Sequence, residues 1–283
     1  MYESILTLSC QDRPGIVARV ATFLADRGFT IRDSQQFGDA DTGLFFMRVR
    51  AARDNAIDFD LLREELEGEV GAPLGADANV HDPLTKHRLL VMVSKQGHCL
   101  NDLLHRVRTG TMPAAIVAVA SNHEEFRDLV EWHGIPFHHV PVTPDRRAIA
   151  EDEVRALVEK YEADSVVLAR YMQILSDDLC RDLAGRAINI HHSLLPSFKG
   201  ARPYFQAHAS GVKVIGATAH YVTAELDEGP IIEQHFAPAD HTHSAADLTA
   251  IGRDLEALAL ARAVTAHAEH RVLMNGSKTV VFR

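Results

Sequence analysis

The hydrophobic positions of residues 1–82 recur with two different periods. A period of two residues predicts strands and a period of about 3.6 residues predicts helices, because side chains alternate across a strand and wind around a helix. The order strand, helix, strand, strand, helix, strand is that of a ferredoxin-like α+β domain. The predicted elements cover residues 4–9, 16–28, 30–37, 44–50, 59–70 and 79–81.

After a linker at residues 81–86, which Pro83 interrupts, short apolar runs alternate with helical patterns. This alternation predicts an α/β domain with a doubly wound, mainly parallel sheet. We therefore expect two domains, residues 1–82 and residues 83–283. The predicted strands cover residues 88–94, 114–120, 137–142, 165–169, 187–190, 214–222 and 279–282. The predicted helices cover residues 98–109, 124–133, 148–161 and 176–184, and a later long helix carries an apolar stripe of Leu248, Ile251, Leu255 and Leu258.

Composition narrows the class of protein. The 283 residues are 46% hydrophobic and 24% charged, as in an ordinary globular chain, and the formal charge of −10 argues against a nucleic-acid partner. Cys10, Cys99 and Cys180 are odd in number and far apart, which favours a reducing compartment over a disulfide framework. The first residues lack the features of a secretion signal, and no apolar run reaches the length of a membrane span. We expect a cytoplasmic protein without a membrane partner.

The candidate chemistry begins at the predicted strand over residues 187–190. Asn189 and His191 are two residues apart and should project to the same side where this strand ends. Pro196 then turns the chain, and the strand over residues 214–222 returns beside it and leads into the acidic loop that contains Asp227. An amide, an imidazole and a carboxylate together suit acyl chemistry, in which an oxyanion needs a donor and water needs a proton acceptor.

Two longer motifs carry a family resemblance. The string N-I-H-H-S-L-L-P-S-F-K-G-A-R-P-Y and the later L-D-E-G-P-I resemble the folate-dependent formyl transferase and hydrolase family, and the resemblance covers nearly the whole chain. It implies that Asn189, His191 and Asp227 are the catalytic set. It also implies the hydrolytic branch of the family, in which 10-formyltetrahydrofolate is hydrolysed to formate and tetrahydrofolate, supplying formate for purine synthesis and balancing one-carbon pools.

Each catalytic candidate also has a purely structural interpretation. Asp227 could be a turn aspartate, His191 a histidine bonded to backbone, and Asn189 a strand-end residue that bonds its own turn. The resemblance further implies that residues 168–175 border the pteridine pocket, with Arg170, Met172 and Ile174 as substrate-binding residues, although this stretch could be an ordinary loop. The basic turn at residues 199–202 could steer the glutamate tail of the folate or be solvated.

The first strand–helix turn, residues 94–101, bears on the acceptor of the formyl group. In the transformylase branch this turn is richer in glycine and small polar residues and cradles the phosphate of a ribonucleotide. Here only Gly97 interrupts it, and His98 and Cys99 follow. This difference favours water over an amine acceptor such as glycinamide ribonucleotide, which stays the alternative. We assign Gly97 and His220 to substrate binding as well.

The N-terminal motif Asp12-Arg13-Pro14-Gly15 resembles that of an ACT domain, a regulatory module that often binds small amino acids. Free N–H groups at a helix N-terminus can bind a carboxylate, but the motif could equally serve only to start a helix. A regulatory protein with an inactive catalytic domain is a third interpretation, which the intact Asn189, His191 and Asp227 set disfavours. None of the 17 histidines lies in a zinc-binding motif, so we predict neither a metal nor a cofactor. We expect a homo-oligomer, a dimer or tetramer, because small sheets pair through their edges.

Overall fold

The structure is a computed structural model that describes residues 1–197 and 203–283. The described chain forms two compact units. The first unit combines Met1–Thr85 with Glu269–Arg283, and the second comprises Lys86–Ala268.

The N-terminal part of the first unit is a four-stranded antiparallel sheet in the order β2-β3-β1-β4, backed by helices. Helix α1 begins after Gly15, whose φ of 96° is in the left-handed region that favours glycine. The βαββαβ order predicted from the sequence is confirmed. The strands are β1 (Tyr2–Gln11), β2 (Thr30–Asp39), β3 (Leu44–Arg53) and β4 (Asp77–His81); the helices are α1 (Ile16–Asp26), α2 (Phe59–Leu66) and α3 (Ala72–Leu74), the last two joined by a π-helical turn, Glu67–Gly71.

The second unit is built on a seven-stranded sheet in the order β11-β10-β9-β8-β5-β6-β7. Five of its strands run parallel, and β10 and β11 are antiparallel additions at one edge. The predicted α/β class is therefore confirmed, whereas β11 was not predicted. The strands are β5 (His87–Val93), β6 (Ala114–Ser121), β7 (Phe137–His139), β8 (Ser165–Leu168), β9 (Ala187–His191), β10 (Val214–Tyr221) and β11 (Ile231–Pro238).

Helices surround this sheet. The central strands β5 and β8 carry almost only buried aliphatic residues, as expected for parallel strands covered on both faces. The helices are α4 (His98–Thr109), α5 (Arg127–Trp132), α6 (Arg147–Lys160), α7 (Asp177–Asp182), α8 (Pro203–Ser210) and α9 (Ala245–Ala268). No helix within residues 1–197 and 203–283 is both long enough and apolar enough to cross a membrane.

The predicted apolar stripe of helix α9 is buried only in part. Leu248 is buried, and Ile251 and Leu255 are half-buried but pack against the same hydrophobic cluster. Most of the fully buried positions lie beside this stripe and include Gly252, Glu256 and Ala259. Small residues dominate this face because the helix packs close to its neighbours: a Cβ at Gly252 would overlap the ring of Tyr204. Glu256 is therefore a charged residue on a buried face.

The C-terminal segment forms the hairpin β12 (Val272–Asn275) and β13 (Lys278–Val281) and groups with the first unit. Arg48 donates from Nε to the carbonyl of His270 at 3.1 Å, and Asn275 donates to the Asp39 carboxylate at 2.6 Å. The sequence pattern predicts that residues 269–283 belong to the second domain, whereas they group with the first unit. The bonds that join this segment to the first unit connect residues more than 200 positions apart. A local sequence pattern cannot predict such bonds, so it does not reveal that the hairpin belongs to the first unit.

Candidate active site

Strands β9 and β10 bring the first two predicted residues together. In their antiparallel register Asn189 lies opposite His220, and His191 lies opposite Thr218. Residues that face each other in this way share one side of the sheet. Asn189 Nδ2 lies 3.2 Å from His220 Nε2. The predicted pairing of Asn189 and His191 on one side of the strand end is thus present, with His220 beside them.

The hydrogen bonds of His220 define its proton positions. Its Nδ1 lies 2.9 Å from the carbonyl oxygen of Tyr221, which can only accept a hydrogen bond, so Nδ1 carries the proton. Burial lowers the pKa of His220, and the neutral ring leaves Nε2 as the acceptor of the Asn189 amide. One amide hydrogen of Asn189 is used in this way, and the other has no partner among the residues that the structure describes, so it can donate to a ligand.

Asp227, the third predicted catalytic residue, lies on the loop that joins β10 to β11. Asp227 Oδ1 lies 3.1 Å from His191 Nδ1 and 3.9 Å from His220 Nε2, and its side chain is 11% exposed. Burial by itself would raise the pKa of Asp227, but the hydrogen bond from His191 and the nearby imidazoles outweigh burial and lower it. Asp227 is therefore ionised at neutral pH.

The position of Asp227 depends on an unusual backbone conformation of this loop. Asp227 has a φ of 59°, in the left-handed region that aspartate tolerates better than most residues. The loop closes where the Tyr221 N–H donates to the Pro230 carbonyl at 2.9 Å. Gly229 passes so near this closure that a Cβ would overlap the Tyr221 carbonyl oxygen. The D-x-G-P sequence thus supplies both the turn and the close approach that put the carboxylate beside His191.

Thr218 holds the turn after β9. Its hydroxyl donates to the carbonyl of Ser193 at 2.7 Å and accepts from the Leu195 N–H at 3.0 Å. Both residues belong to the N-I-H-H-S-L-L-P motif, so these bonds link the turn after β9 to β10. The next part of that motif, with the basic turn at Lys199 and Arg202, lies outside the described residues.

A cavity of about 580 Å³ opens beside these residues. Asn189, His191, His220 and Asp227 lie on its wall, together with the loop that follows β8. Four large apolar side chains of the lining are more than half exposed, which places them where the cavity meets solvent: Met172, Ile174, Phe205 and Leu226. An apolar opening with a few polar groups behind it fits a flat heteroaromatic ligand.

Hydrogen bonds to its backbone groups fix the loop after β8. Ser94 donates its N–H to the Arg170 carbonyl at 3.3 Å, and its hydroxyl accepts from the Met172 N–H at 3.0 Å. Arg147 donates to the Ile174 carbonyl at 2.7 Å. The side chains of Met172 and Ile174 are therefore held at the cavity by anchored backbone.

Gly97 does not belong to the cavity lining among the described residues. A Cβ at this position would overlap the Phe126 ring, so the glycine permits close packing of the turn against Phe126. Its neighbour Gln96 does line the cavity, so a role of Gly97 in substrate binding stays a prediction. Asp12, Arg13, Pro14 and Gly15 belong to the first unit.

Two buried polar residues of the cavity were missed by the sequence analysis. Glu256 is 1% exposed and Tyr204 is 7% exposed, and the Tyr204 hydroxyl donates to the Glu256 carboxylate at 2.7 Å. A signal for Glu256 did exist, since it interrupts the Leu248, Gly252, Ala259 face of α9 at helical spacing. It was missed because the half-buried leucines of the adjacent face suggested a different stripe.

Glu256, His98 and Cys99 offer three donor atoms of metal-binding type close together. However, the Arg170 guanidinium already provides a cation 3.3 Å from the Glu256 carboxylate. Burial also raises the pKa of the Cys99 thiol well above its ordinary value, so that the thiolate is disfavoured. These donors are better explained as an ion-pair cluster than as a metal site.

Comparison with known proteins identifies the class first. A family model described as formyl transferase matches residues 87–264, and one described as ACT domain matches residues 4–69. A solved glycinamide ribonucleotide transformylase from Symbiobacterium toebii has a TM-score of 0.66 and 30% identity, and the match covers 70% of this chain and 95% of that one. The second unit therefore has the formyl transferase fold.

More similar proteins cover both units. A formyltetrahydrofolate deformylase from Corynebacterium sp. (strain P-1) is 50% identical over 280 residues, covering 99% of this chain and 98% of the relative. A solved formyltetrahydrofolate deformylase from Pseudomonas syringae pv. tomato has a TM-score of 0.97 and 47% identity, covering 100% of this chain and 95% of that chain. The chain belongs to the formyltetrahydrofolate deformylase family.

Replacing Gly229 by alanine tests the close approach that positions Asp227. We expect Gly229→Ala to lower the free energy of unfolding by about 1–3 kcal/mol, since the added methyl must displace backbone. Gly68→Ala is the control, because a Cβ there meets nothing within 4 Å and should leave stability unchanged or slightly raised. Urea unfolding of both variants measures the effect. Equal stability of Gly229→Ala and the wild-type protein would contradict the assignment.

Proposed function

We propose that this protein hydrolyses 10-formyltetrahydrofolate to formate and tetrahydrofolate, and that Asn189, His191 and Asp227 perform the reaction. The observation that carries the proposal is the convergence of these side chains on one cavity, with the Asp227 carboxylate 3.1 Å from His191 Nδ1. The similarity to formyltetrahydrofolate deformylases over nearly the whole chain supports the substrate.

Asp227 acts as the base. Its carboxylate is ionised at neutral pH, so it can accept a proton from a water molecule as the oxygen attacks the formyl carbon. The new C–O bond converts the carbonyl oxygen into an oxyanion. Cleavage of the bond between the formyl carbon and N10 then releases formate, and the proton taken from water returns to N10 of the leaving tetrahydrofolate. The reaction consumes only water and the folate.

His191 and Asn189 stabilise the oxyanion. His191 Nδ1 lies 3.1 Å from the Asp227 carboxylate, which orients the ring, and in this scheme its Nε2 faces the oxyanion. Among the described residues, His191 Nε2 is buried without a hydrogen-bond partner, as expected for a group that binds a ligand. The second amide hydrogen of Asn189 completes the pair of donors. His220 does not touch the substrate in this scheme and instead orients the Asn189 amide.

The pteridine ring would bind in the apolar part of the cavity. Met172, Ile174 and Leu226 offer apolar contact at its opening, and the anchored loop after β8 offers backbone groups for the ring edge. Water and folate would share the same 580 Å³ cavity, and holding both reactants there would favour their reaction.

Three buried, unpaired cysteines, Cys10, Cys99 and Cys180, support the proposal of a reducing, cytoplasmic location. We further propose a homo-oligomer, a dimer or a tetramer. In the first unit β2 and β4 are the outer strands of the four-stranded sheet, and outer strands are the ones that pair between subunits.

The first prediction concerns Asp227. Purified protein should release formate and tetrahydrofolate in equal amounts from 10-formyltetrahydrofolate alone, and Asp227→Asn should lower kcat by about 10²–10⁴, the usual contribution of a general base. Tetrahydrofolate absorbance and a formate assay measure both products. Glu225→Gln is the control, because it removes a carboxylate of the same loop that also lines the cavity. Near wild-type turnover of folded Asp227→Asn would refute the role, and turnover only after addition of an amine would indicate a transferase.

The second prediction concerns His220. We expect His220→Ala to lower kcat by about 10²-fold with little change in KM, because the substrate still binds while the Asn189 amide loses its orientation. His220→Gln should recover part of the rate, since its amide oxygen can accept from Asn189. A large rise in KM for His220→Ala, or the same rate for both variants, would show that His220 has another role.

The first unit supports a separate, regulatory proposal. We propose that a small amino acid binds at Asp12, Arg13, Pro14 and Gly15, with its carboxylate at the N-terminus of α1. The match to the ACT domain model over residues 4–69 and the left-handed backbone at Gly15 support this proposal.

Thermal unfolding with a panel of amino acids tests the regulatory site. We expect at least one small amino acid to raise the Tm, and Gly15→Ala to weaken that response, because alanine is strained at a φ of 96°. Gly75→Ala is the matched control, with a φ of 59° and open space around its Cβ. If no amino acid shifts the Tm of the wild-type protein, the first unit has no such ligand.

A further inference from the structure

A charged residue of helix α6 is buried against the loop that follows β8. Glu151 is 8% exposed and shares the buried positions of α6 with apolar residues: Ala150, Val154, Leu157 and Val158. Burying a carboxylate is costly unless hydrogen bonds satisfy its oxygens. The proposed reaction does not use this side chain, so its position needs a separate explanation.

Both carboxylate oxygens of Glu151 bind the end of that loop. Oε1 accepts a hydrogen bond from the Ser176 N–H at 2.7 Å, and Oε2 accepts one from the Ser176 hydroxyl. The same hydroxyl accepts from the Leu179 N–H at 3.2 Å and so caps helix α7. Glu151 therefore fixes the residue at which the loop ends and α7 begins.

Arg147, which lies four positions before Glu151 on α6, binds the same loop two residues earlier. Its Nη2 donates to the Ile174 carbonyl at 2.7 Å, and its Nε lies 3.7 Å from Glu151 Oε1. Side chains four positions apart lie on the same face of a helix, so the carboxylate can hold the guanidinium in place. The pair thus holds the loop at two points, Ile174 and Ser176.

The residue between these two points accounts for the need for polar partners. Leu175 is buried in the core cluster that also contains Val154 of α6 and Leu179 of α7. Its burial carries the neighbouring backbone groups towards the interior, where polar groups need hydrogen-bond partners. The polar side chains of α6 supply these partners, so the loop can bury Leu175 and keep its backbone satisfied.

The same loop lines the cavity through other side chains. Met172 and Ile174 are more than half exposed and lie at the cavity opening. The proposed catalytic residues lie on β9 and on the loop between β10 and β11. The loop after β8 and the reacting groups therefore belong to different elements, and a change in this loop can alter binding without moving the reacting groups.

We propose that Arg147 and Glu151 are positioning residues for the folate: they hold the loop after β8 in the conformation that binds the folate ring. This inference rests on the proposed hydrolase function. A loop that loses these bonds spends less time in the binding conformation, and the apparent affinity for the ligand falls by the same fraction. Substrate that does bind should react at the ordinary rate.

Steady-state kinetics of Arg147→Met give the first readout. We expect the KM for 10-formyltetrahydrofolate to rise about tenfold, as for the loss of a hydrogen bond from a charged donor, with kcat nearly unchanged. Arg147→Lys should recover part of the affinity, because its ammonium group can donate to the Ile174 carbonyl. Arg155→Met is the matched control, since Arg155 lies on the same helix and binds Asp152 and Asp182 instead of the loop.

Glu151→Gln tests the carboxylate. The variant keeps the shape of the side chain, but its amide nitrogen cannot accept a hydrogen bond, so one of the two bonds from Ser176 is lost. KM should again rise while kcat changes little. Glu153→Gln is the control, because it removes a carboxylate of the same helix that pairs with Arg146. If Glu151→Gln does not fold, Arg147→Met decides the question, since the Arg147 side chain is half-exposed.

Binding of tetrahydrofolate, the reaction product, separates affinity from turnover. Isothermal titration calorimetry should show a Kd for Arg147→Met that is weaker by a factor similar to the rise in KM. Unchanged KM and Kd, a fall in kcat at unchanged KM, or an equal effect of Arg155→Met would overturn the inference.

Hydrogen exchange provides a readout that does not depend on the proposed reaction. The amides of residues 170–176 should exchange faster in Arg147→Met than in the wild-type protein or in Arg155→Met, because the loop opens more often. Unchanged exchange would contradict the anchoring role. Formate release by the wild-type protein is measured separately: its absence would refute the proposed function, while the exchange rates would still decide whether α6 holds the loop.

Discussion

The antiparallel pairing of β10 with β9 is the constraint on which the rest of the site depends. A one-residue shift in this register would move His220 to the other face and separate it from Asn189. The same pairing brings Thr218 to the turn after β9 and starts the loop that carries Asp227 back to His191. Strand β9 is held in place by the buried parallel strands and pairs with β10. The packing of the core therefore fixes the relative positions of Asn189, His191 and His220.

Two carboxylates of one cavity have different surroundings. The Asp227 side chain is 11% exposed and lies beside the imidazoles of His191 and His220. Glu256 is 1% exposed and lies beside the guanidinium of Arg170, His98 and the Tyr204 hydroxyl. A ligand in the cavity can therefore reach the first carboxylate more easily than the second, which is enclosed in a buried ion pair.

Close backbone approaches add a second kind of constraint. Gly229 and Gly252 have little in common in sequence, but at both positions a Cβ would overlap a residue that contacts the site, the Tyr221 carbonyl or the Tyr204 ring. Glycine at these positions allows the loop that carries Asp227 and helix α9 to pack closely against their neighbours. The site thus depends on residues that have no side chain to contribute.

Local patterns in the sequence were enough to predict the two-domain plan, the strand that carries Asn189 and His191, and the motif that contains Asp227. These features are local because alternation, helical spacing and turn residues reflect the preferences of neighbouring residues. The packed chain was needed to show that His220 pairs with Asn189, that Gly97 packs against Phe126, that residues 269–283 group with the first unit, and that Glu256 pairs with Arg170. Those contacts join residues that are 29 to more than 200 positions apart, and sequence periodicity carries no information about which distant residues face one another once the chain is packed.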